Sequence, residues 1–279
     1  MKNEKPLYST RYVHGTTPEE QNRLSLLNDL LNESCMKEMD AHSGQHVLDV
    51  GSGLGQFTRM VARAVGTKGR VIGVEGDLRQ LSEAIKRETE SAEELQVELR
   101  KGDAGALPLS AEEWGTFDIV HSRFLLEHVH SPLQVVRQMA AAVRVGGRVI
   151  LADDDHDILR LWPEPPEVLS LWRAYTRTYD RLGNDPYVGR RLVSLLHESG
   201  LHPSKNRWIF FGSCAGDPHF QGYVDNLMSV LNGARTTVIS QHFVNDEEFD
   251  RAAESFLRWS KLPDATIWYG LCWAEGIRS

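Results

Sequence analysis

The chain has 279 residues and a formal net charge of -8 at pH 7, with 41% hydrophobic and 25% charged residues. This composition is ordinary for a globular protein, and the length suffices to bury a sizeable core. The acid excess argues against a nucleic-acid partner, which would need a basic face. Cys35, Cys214 and Cys272 form no CxxC pair, so they predict neither a disulfide framework nor a zinc site and suit a reducing compartment.

Targeting and membrane-spanning segments are not expected. The first 12 residues, MKNEKPLYSTRY, contain no apolar core of signal-peptide length. No run of about 18 apolar residues occurs in the sequence, which is the length that a spanning helix requires. These features predict a cytoplasmic protein without a membrane partner.

A helix is predicted to begin at the Thr-Pro-Glu-Glu stretch. Thr17 can cap it, Pro18 suits its first position, and Glu20 stands three residues after the cap. Leu24 and Leu27 begin a broken apolar stripe, so we expect this helix to pack on the main body of the protein.

A glycine-rich turn follows the first predicted strand. Residues 46–50 read as a short buried strand, glycines occupy positions 51, 53 and 55, and a helical pattern begins near Gln56. In this order of elements the backbone passes close beneath a nucleotide-sized ligand, because a Cβ would block the approach. Gln56 stands where the dinucleotide fingerprint Gly-x-Gly-x-x-Gly places its third glycine, which counts against a nicotinamide cofactor.

Strands and helical patterns alternate along the chain. Strands are predicted at residues 46–50, 70–74, 97–100, 117–121, 148–152, 207–211 and 265–273. Helices are predicted at residues 56–65, 77–90, 131–143, 187–199, 217–232 and 245–260. This alternation predicts an α/β fold with a mostly parallel, doubly wound sheet and helices on both faces.

Polar residues stand where several of these strands end. Glu75 follows the second strand 20 residues after Gly55, where a carboxylate can accept both hydroxyls of a ribose. Asp103 ends the third strand and Ser122 lies at the end of the fourth. Ligands of such sheets bind at the carboxyl ends of the strands, so we expect these residues to line one site.

Five segments carry a family resemblance. In this order they are HVLDVGSGLGQ, VIGVEGD, KGDAGALPL, FDIVHSRFLLEHV and VRVGGRVILADDD. They resemble the sequential motifs of class I S-adenosylmethionine (SAM)-dependent methyltransferases, closely over residues 46–153 and more loosely over 11–30. The resemblance implies a seven-stranded sheet whose last strand is reversed, supplied here by residues 265–273, and SAM as the cofactor.

The resemblance also implies roles for individual residues. Glu75 would hold the ribose, Asp103 and Ala104 would bind adenine, and the Ser122 backbone would take the methionine ammonium group. The complete set implied at the cofactor is Tyr12, Asp49, Gly51, Ser52, Gly53, Glu75, Gly76, Asp77, Asp103, Ala104, Ser122 and Arg123. Residues 1–40 are expected to form a helical cap over this site, and 41–279 the SAM-binding domain. Helical insertions are expected at about 155–186 and 214–263.

Catalytic residues are harder to predict, because the SAM methyl group is already activated and a base is needed only for an acceptor that must lose a proton. His128, after the fourth strand, and Asp154, after the fifth, are the candidates for that base. The acidic loop 153–157 has the donor types of a divalent-metal site, as in metal-dependent catechol-type methyltransferases. We expect no metal there, because consecutive residues seldom all point inward.

The leading hypothesis is methyl transfer from SAM to an oxygen, nitrogen or carbon atom of a small molecule. A nicotinamide-dependent oxidoreductase and a non-catalytic SAM-binding regulator or partner subunit are the alternatives. A protein or RNA acceptor is also open, although the acidic charge disfavours RNA. The oligomeric state is open as well, with a homodimer among the alternatives.

Overall fold

The computed structural model describes residues 18–89, 96–179 and 183–279. The helices are α1 (Pro18–Met39), α2 (Gln56–Val65), α3 (Leu78–Thr89), α4 (Pro132–Ala142), α5 (Pro166–Thr176), α6 (Leu192–Glu198), α7 (Phe220–Ser240) and α8 (Asp246–Trp259). The strands are β1 (His46–Val50), β2 (Arg70–Glu75), β3 (Val97–Lys101), β4 (Phe117–Arg123), β5 (Val143–Asp153), β6 (Arg160–Trp162), β7 (His202–Phe210), β8 (Ser213–Cys214), β9 (Thr266–Trp268) and β10 (Gly270–Ile277).

The main sheet has seven strands in the order β3-β2-β1-β4-β5-β10-β7. The strands from β3 to β5 pair in parallel, whereas β10 is antiparallel to both of its neighbours. Strand order reverses between β1 and β4, the position at which ligands of such sheets bind. The predicted doubly wound fold with a reversed last strand is confirmed.

The two faces of the sheet are both covered by helices. Val47 of β1 packs into one apolar cluster with residues of α1, α2, α5, α7 and α8. Leu48, the next residue, packs into the other cluster with residues of α4 and α6. Successive side chains of a strand point to opposite faces, so a strand covered on both faces is apolar at nearly every position.

The prediction of one strand over residues 265–273 was wrong. Ile267 of β9 pairs with β6 and β8 in a separate three-stranded sheet, and the reversed strand β10 begins only at Gly270. The chain changes sheets at Tyr269, whose carbonyl oxygen accepts a hydrogen bond from the backbone of Phe211. An uninterrupted β-rich run cannot reveal such a change, because both halves have the same composition.

The added helices gather on one side of the sheet. Helix α5 packs against α7 and α8, and α7 packs against α1. Within the described parts of the chain, no helix combines the length and the apolarity that crossing a bilayer demands. The division of the chain at residue 40 stays a prediction.

Candidate functional site

The loop after β1 is built from glycines with left-handed backbone angles. Gly51, Gly53 and Gly55 have φ values of 81°, 55° and 71°. The loop is held at the end of β2, because the backbone N–H groups of Gly51 and Ser52 both donate to the carbonyl of Val74 at 2.8 and 3.0 Å. Side-chain-free backbone therefore faces the carboxyl ends of β1 and β2.

Glu75 joins the end of β2 to this loop. Its carboxylate accepts hydrogen bonds from the backbone N–H of Gly53 at 2.8 Å and of Asp77 at 2.7 Å. Burial raises the pKa of Glu75 above its ordinary value, and these N–H groups partly oppose the rise. A carboxylate has about four acceptor positions, so two hydrogen bonds leave capacity for the hydroxyls of a ribose.

The predicted adenosine residues lie beyond Glu75. The Asp77 carboxylate accepts hydrogen bonds from the backbone of Arg79 and Gln80 at 2.8 and 3.0 Å, so it caps the start of α3. The Asp103 carboxylate accepts from the Gly105 backbone at 2.7 Å. Both acids therefore stabilise local turns, and both still line the cavity described below.

Asp49 is buried beneath the loop, and both of its carboxylate oxygens make contacts with other side chains. It contacts His121 Nδ1 at 2.9 Å and accepts a hydrogen bond from Thr58 Oγ1 at 2.6 Å. Burial would raise the pKa of Asp49, but the contacts with His121 and Thr58 lower it below the ordinary value. Asp49 thus connects β1 to β4 and α2 as a charged hydrogen-bond acceptor.

Arg123, at the end of β4, reaches to α1. Its guanidinium donates to Asn28 Oδ1 at 2.6 Å and Asn32 Oδ1 at 2.9 Å, and lies over the ring of Phe57 at 4.4 Å. The side chain that the sequence assigned to the cofactor therefore also positions the first helix. Ser122 is fully buried between β1 and β5.

These elements enclose a cavity of about 240 Å³ at the carboxyl ends of the strands. Of the residues predicted at the cofactor, it is lined by Asp49, Gly51, Ser52, Gly53, Glu75, Gly76, Asp77, Asp103, Ala104 and Arg123. Ser122 is not in its lining, and Tyr12 lies outside the described residues. Lining residues that sequence reasoning missed include Leu24, Asn28, Phe57, Gln80, Lys101 and Phe124. Of these, Leu24 and Phe57 belong to apolar helical patterns, and Lys101 and Phe124 lie within two of the segments that carry the family resemblance.

A second, smaller cavity of about 50 Å³ adjoins the first. The two share the lining residues Leu24, Leu27, Phe124 and His128. Aromatic and ionisable side chains make up much of the remaining wall, namely Arg23, Glu127, Asp154, His156, Trp172, Tyr175, Tyr179, Phe211 and Tyr269. Both candidate bases, His128 and Asp154, therefore lie in the second cavity.

A hydrogen-bonded network is buried in the wall of this second cavity. His156 contacts Glu127 Oε2 through Nε2 at 2.9 Å and the Tyr269 hydroxyl through Nδ1 at 3.0 Å. Burial raises the pKa of Glu127 to about 7, and it lowers the pKa of His156. Burial also lowers the pKa of His128 to about 3, so this imidazole is uncharged at neutral pH.

The carboxylates of the acidic loop 153–157 have different surroundings. Asp153 is buried and accepts the backbone N–H groups of Leu125 and Leu126 at 3.0 and 2.8 Å. Asp155 forms a two-point contact with Arg190 at 2.6 and 2.7 Å. Asp154 lies in the lining of the second cavity, and burial raises its pKa to about 8.

One group of donors has the spacing of a cation site. Ligand atoms of Glu127, Asp154 and His156 all lie within 4.8 Å of one another. Both imidazole nitrogens of His156 are already hydrogen-bonded, to Glu127 and Tyr269. A metal ion at this position would have to replace one of these two hydrogen bonds of His156.

Comparison with known proteins agrees with this geometry. Residues 48–151, which run from β1 to β5, match the family model of the methyltransferase domain. This part of the chain is therefore a methyltransferase domain. The prediction of SAM as the cofactor is confirmed by this match, which covers most of the segments that form the first cavity.

Individual relatives of this methyltransferase cover parts of the chain. An uncharacterized 37.1 kDa protein in transposon TN4556 of Streptomyces fradiae is 34% identical over 165 residues, which are 58% of this chain and 45% of that protein. The demethylmenaquinone methyltransferase of Bacillus cereus strain B4264 is 32% identical over 146 residues, 50% of this chain and 60% of the relative. The chain thus spans about half the length of these relatives.

A solved structure extends the likeness of the fold. The crystal structure of a SAM-dependent methyltransferase from Aquifex aeolicus superimposes with a TM-score of 0.52 at 19% identity. The likeness covers 69% of this chain and 92% of that one. At this identity the comparison supports the fold and nothing finer.

The residues of the first cavity suit a SAM molecule. The hydroxyl of Ser52, on the glycine loop, is buried and has no hydrogen-bond partner within the described part of the chain. The same holds for Nε2 of His121, which also lines the cavity. Buried polar atoms are costly when unpaired, so both are suited to meet polar atoms of a ligand.

Proposed function

We propose that this protein transfers a methyl group from SAM to a small-molecule acceptor. The observation that carries the proposal is the first cavity, which combines a side-chain-free glycine loop with carboxylates at the ends of neighbouring strands. SAM supplies an activated methyl group on a sulfonium sulfur, so the protein is left to bind, align and exclude water.

Each part of the first cavity suits one part of the donor. The backbone of Gly51 and Gly53 lies against the methionine portion, and Glu75 accepts hydrogen bonds from the ribose hydroxyls. Asp103 and Ala104 lie beside the adenine, at the end of β3. Phe57 and Leu24 cover the cavity from α2 and α1 and keep water from it.

The second cavity is where the acceptor is proposed to bind. It lies beside the first cavity, with which it shares the lining residues Phe124 and His128. Helices α1, α5 and α7 contribute to its wall and bring aromatic and ionisable side chains together there. The name of the Bacillus cereus relative, demethylmenaquinone methyltransferase, supports a small-molecule acceptor.

The proposed catalytic contribution of the protein is alignment together with proton removal. Asp154, whose pKa is raised to about 8 by burial, lies in the acceptor cavity and can take a proton from the acceptor near neutral pH. His128 is uncharged at neutral pH and packs at 6.0 Å from the ring of Tyr179, so we assign it to the wall between the two cavities.

Three measurements test the proposal. Isothermal titration calorimetry with S-adenosylhomocysteine should give binding in the micromolar range, and no binding at millimolar ligand would contradict the donor site. A parallel titration with NADH should give none. Incubation with methyl-labelled SAM and a panel of small acceptors should then transfer label. Tight donor binding without transfer to any acceptor would favour the non-catalytic alternative.

A further inference from the structure

We propose that the second cavity takes a small organic amine in its ammonium form and that this amine is the methyl acceptor. The inference rests on the proposed function, since it names the acceptor class of the same reaction. Three features of the cavity wall carry it: an excess of carboxylates, a lining of aromatic rings, and a hydrogen-bonded network that holds one of the carboxylates.

The carboxylates of the wall outnumber its cations. Glu127 and Asp154 line the cavity, and the lining also includes Arg23. The guanidinium of Arg23 is already neutralised by Glu20, with nitrogen to oxygen distances of 2.6 and 2.8 Å. An ammonium ion would balance the remaining negative charge, whereas an anionic acceptor would be repelled by it.

The raised pKa values of Glu127 and Asp154 are consistent with a cavity wall that lacks a cation to balance their charge. Burial, the largest cause, raises the pKa of Glu127 to about 7 and that of Asp154 to about 8. The proximity of the two acids raises the pKa of Asp154 further. A neutral alcohol would leave this imbalance in place, and an ammonium ion would relieve it.

Aromatic rings line the same cavity as the carboxylates. Trp172 packs at 5.1 Å from Tyr175 and 6.3 Å from Tyr269, measured between ring centroids. Tyr179 packs at 5.6 Å from Tyr175. Rings of this kind attract organic cations, and most strongly where the cation is desolvated. Together with the acids they suit a cation that carries apolar substituents.

The network around His156 holds Glu127 in place. The imidazole joins Glu127 to the Tyr269 hydroxyl, and the Trp172 indole N–H donates to the His156 carbonyl at 2.8 Å. The exposed fractions of Glu127 and His156 are 3% and 4%. A carboxylate fixed in this way needs little reorganisation to meet a cation.

The proposed transfer step balances in atoms and charge. The ammonium N–H gives its proton to the carboxylate of Asp154, which leaves the nitrogen with a lone pair. That lone pair forms the new N–C bond while the C–S bond of the sulfonium donor breaks and its electron pair goes to sulfur. The products are a methylated ammonium ion, a neutral thioether and a protonated Asp154.

The direct test compares a cation with a neutral molecule of similar shape. The full chain, saturated with S-adenosylhomocysteine, is titrated calorimetrically with tetramethylammonium chloride and with tert-butanol. Tetramethylammonium should bind at least about 10-fold more tightly, as expected for a desolvated cation–π site. Equal affinities, or preference for tert-butanol, would overturn the proposal on the unaltered protein.

Matched variants test whether the preference for tetramethylammonium over tert-butanol depends on the carboxylates of the cavity. Asp154→Asn and Glu127→Gln should each reduce the preference for the cation by about 10-fold, because each removes one buried countercharge. Asp157→Asn is the control: this carboxylate lies on the same loop, is 68% exposed and is not in the cavity lining. An unchanged preference in both cavity variants would overturn the assignment.

A transfer assay separates acceptor classes. Labelled SAM is offered with primary, secondary and tertiary amines and with the alcohol of matching shape for each. Label should enter the amines; label entering only the alcohols would overturn the proposal. A requirement for a divalent cation, abolished by a chelator, would also overturn it, because the carboxylates would then serve the metal. Failure of S-adenosylhomocysteine to bind would instead contradict the proposed function itself.

Discussion

The carboxylate of Glu75 accepts a hydrogen bond from the backbone N–H of Gly53 at 2.8 Å. The end of β2 is thereby joined to the glycine loop that follows β1, although the two residues are 22 positions apart. This contact orients a buried carboxylate toward the first cavity and fixes the loop beside it. Both features are needed by a site that binds a nucleoside with an attached amino acid.

Removal of the Glu75 carboxylate should weaken donor binding. Glu75→Ala is expected to reduce the affinity for S-adenosylhomocysteine by about 1–3 kcal/mol, because ribose hydroxyls would be left unpaired. Isothermal titration calorimetry measures the change. The control is Glu98→Ala, which removes a half-exposed carboxylate of the same sheet that lies outside the cavity lining. Unchanged affinity in Glu75→Ala would mean that the ribose lies elsewhere.

A side chain at Gly51 should impair both folding and donor binding. Its φ of 81° costs a residue other than glycine about 1–2 kcal/mol, and a Cβ would lie 3.2 Å from Leu125 Cδ1. Gly51→Ala should therefore lower the melting temperature. It should also weaken the binding of S-adenosylhomocysteine by about 10-fold, because the added methyl group occupies space beside the glycine loop.

Gly44 offers a matched control for that variant. Its φ is 86°, and a Cβ there would meet nothing within 4 Å. Gly44→Ala should cost a similar free energy of unfolding without changing the donor affinity. Equal donor affinities in the two variants, measured by calorimetry, would show that the Gly51 backbone does not approach the ligand.

Arg123 should couple the first helix to the site. Arg123→Ala removes the hydrogen bonds to Asn28 and Asn32 and the contact with Phe57, so it should destabilise the protein by about 1–3 kcal/mol. Hydrogen exchange of the α1 amides, measured by mass spectrometry, should become selectively faster. Arg144→Ala, which removes a half-exposed ion pair with Asp118, should change stability by less than about 1 kcal/mol. Unaltered exchange in α1 would contradict the role of Arg123.

The contribution of Glu127 and Asp154 to the free energy of unfolding should fall as pH rises from about 4 to 8. The lowered pKa values of His128 and His156 oppose this slope in the acidic part of the range. The pKa values of Glu127 and Asp154 are raised to about 7 and about 8 in the folded protein, so at these two groups the folded state binds more protons than the unfolded state within this window. Their favourable contribution is complete below the unfolded pKa values and is lost above the folded ones. Urea unfolding at several pH values measures the slope, and Glu127→Gln should flatten it. A slope that is the same in the variant would contradict the assignment.

The first half of the fold could be predicted from the sequence, because the signals for each helix and strand lie within its own segment. The glycine loop, the alternating buried strands and the helix starts predicted β1 and α2 with their observed ends. Strand β5 was predicted to begin five residues too late, because Gly146 and Gly147 read as a break. In the structure β5 begins at Val143, which pairs with Phe117 across a register shift.

The sequence by itself determined the donor half of this protein. The polar residues at the ends of β2 and β3 follow a local order along the chain, and a parallel sheet brings such ends to one edge whatever lies further on. Five segments therefore sufficed to indicate a class I SAM-dependent methyltransferase.

Only the tertiary structure decided the second cavity. His156 meets Glu127 across 29 positions and Tyr269 across 113, and the aromatic wall comes from α5 together with residues near β4 and β10. No local pattern encodes such contacts, because each residue has an ordinary explanation in its own segment. The network exists because α1, α5 and α7 close over the sheet and bury these groups together, which also raises the pKa values of its carboxyl groups.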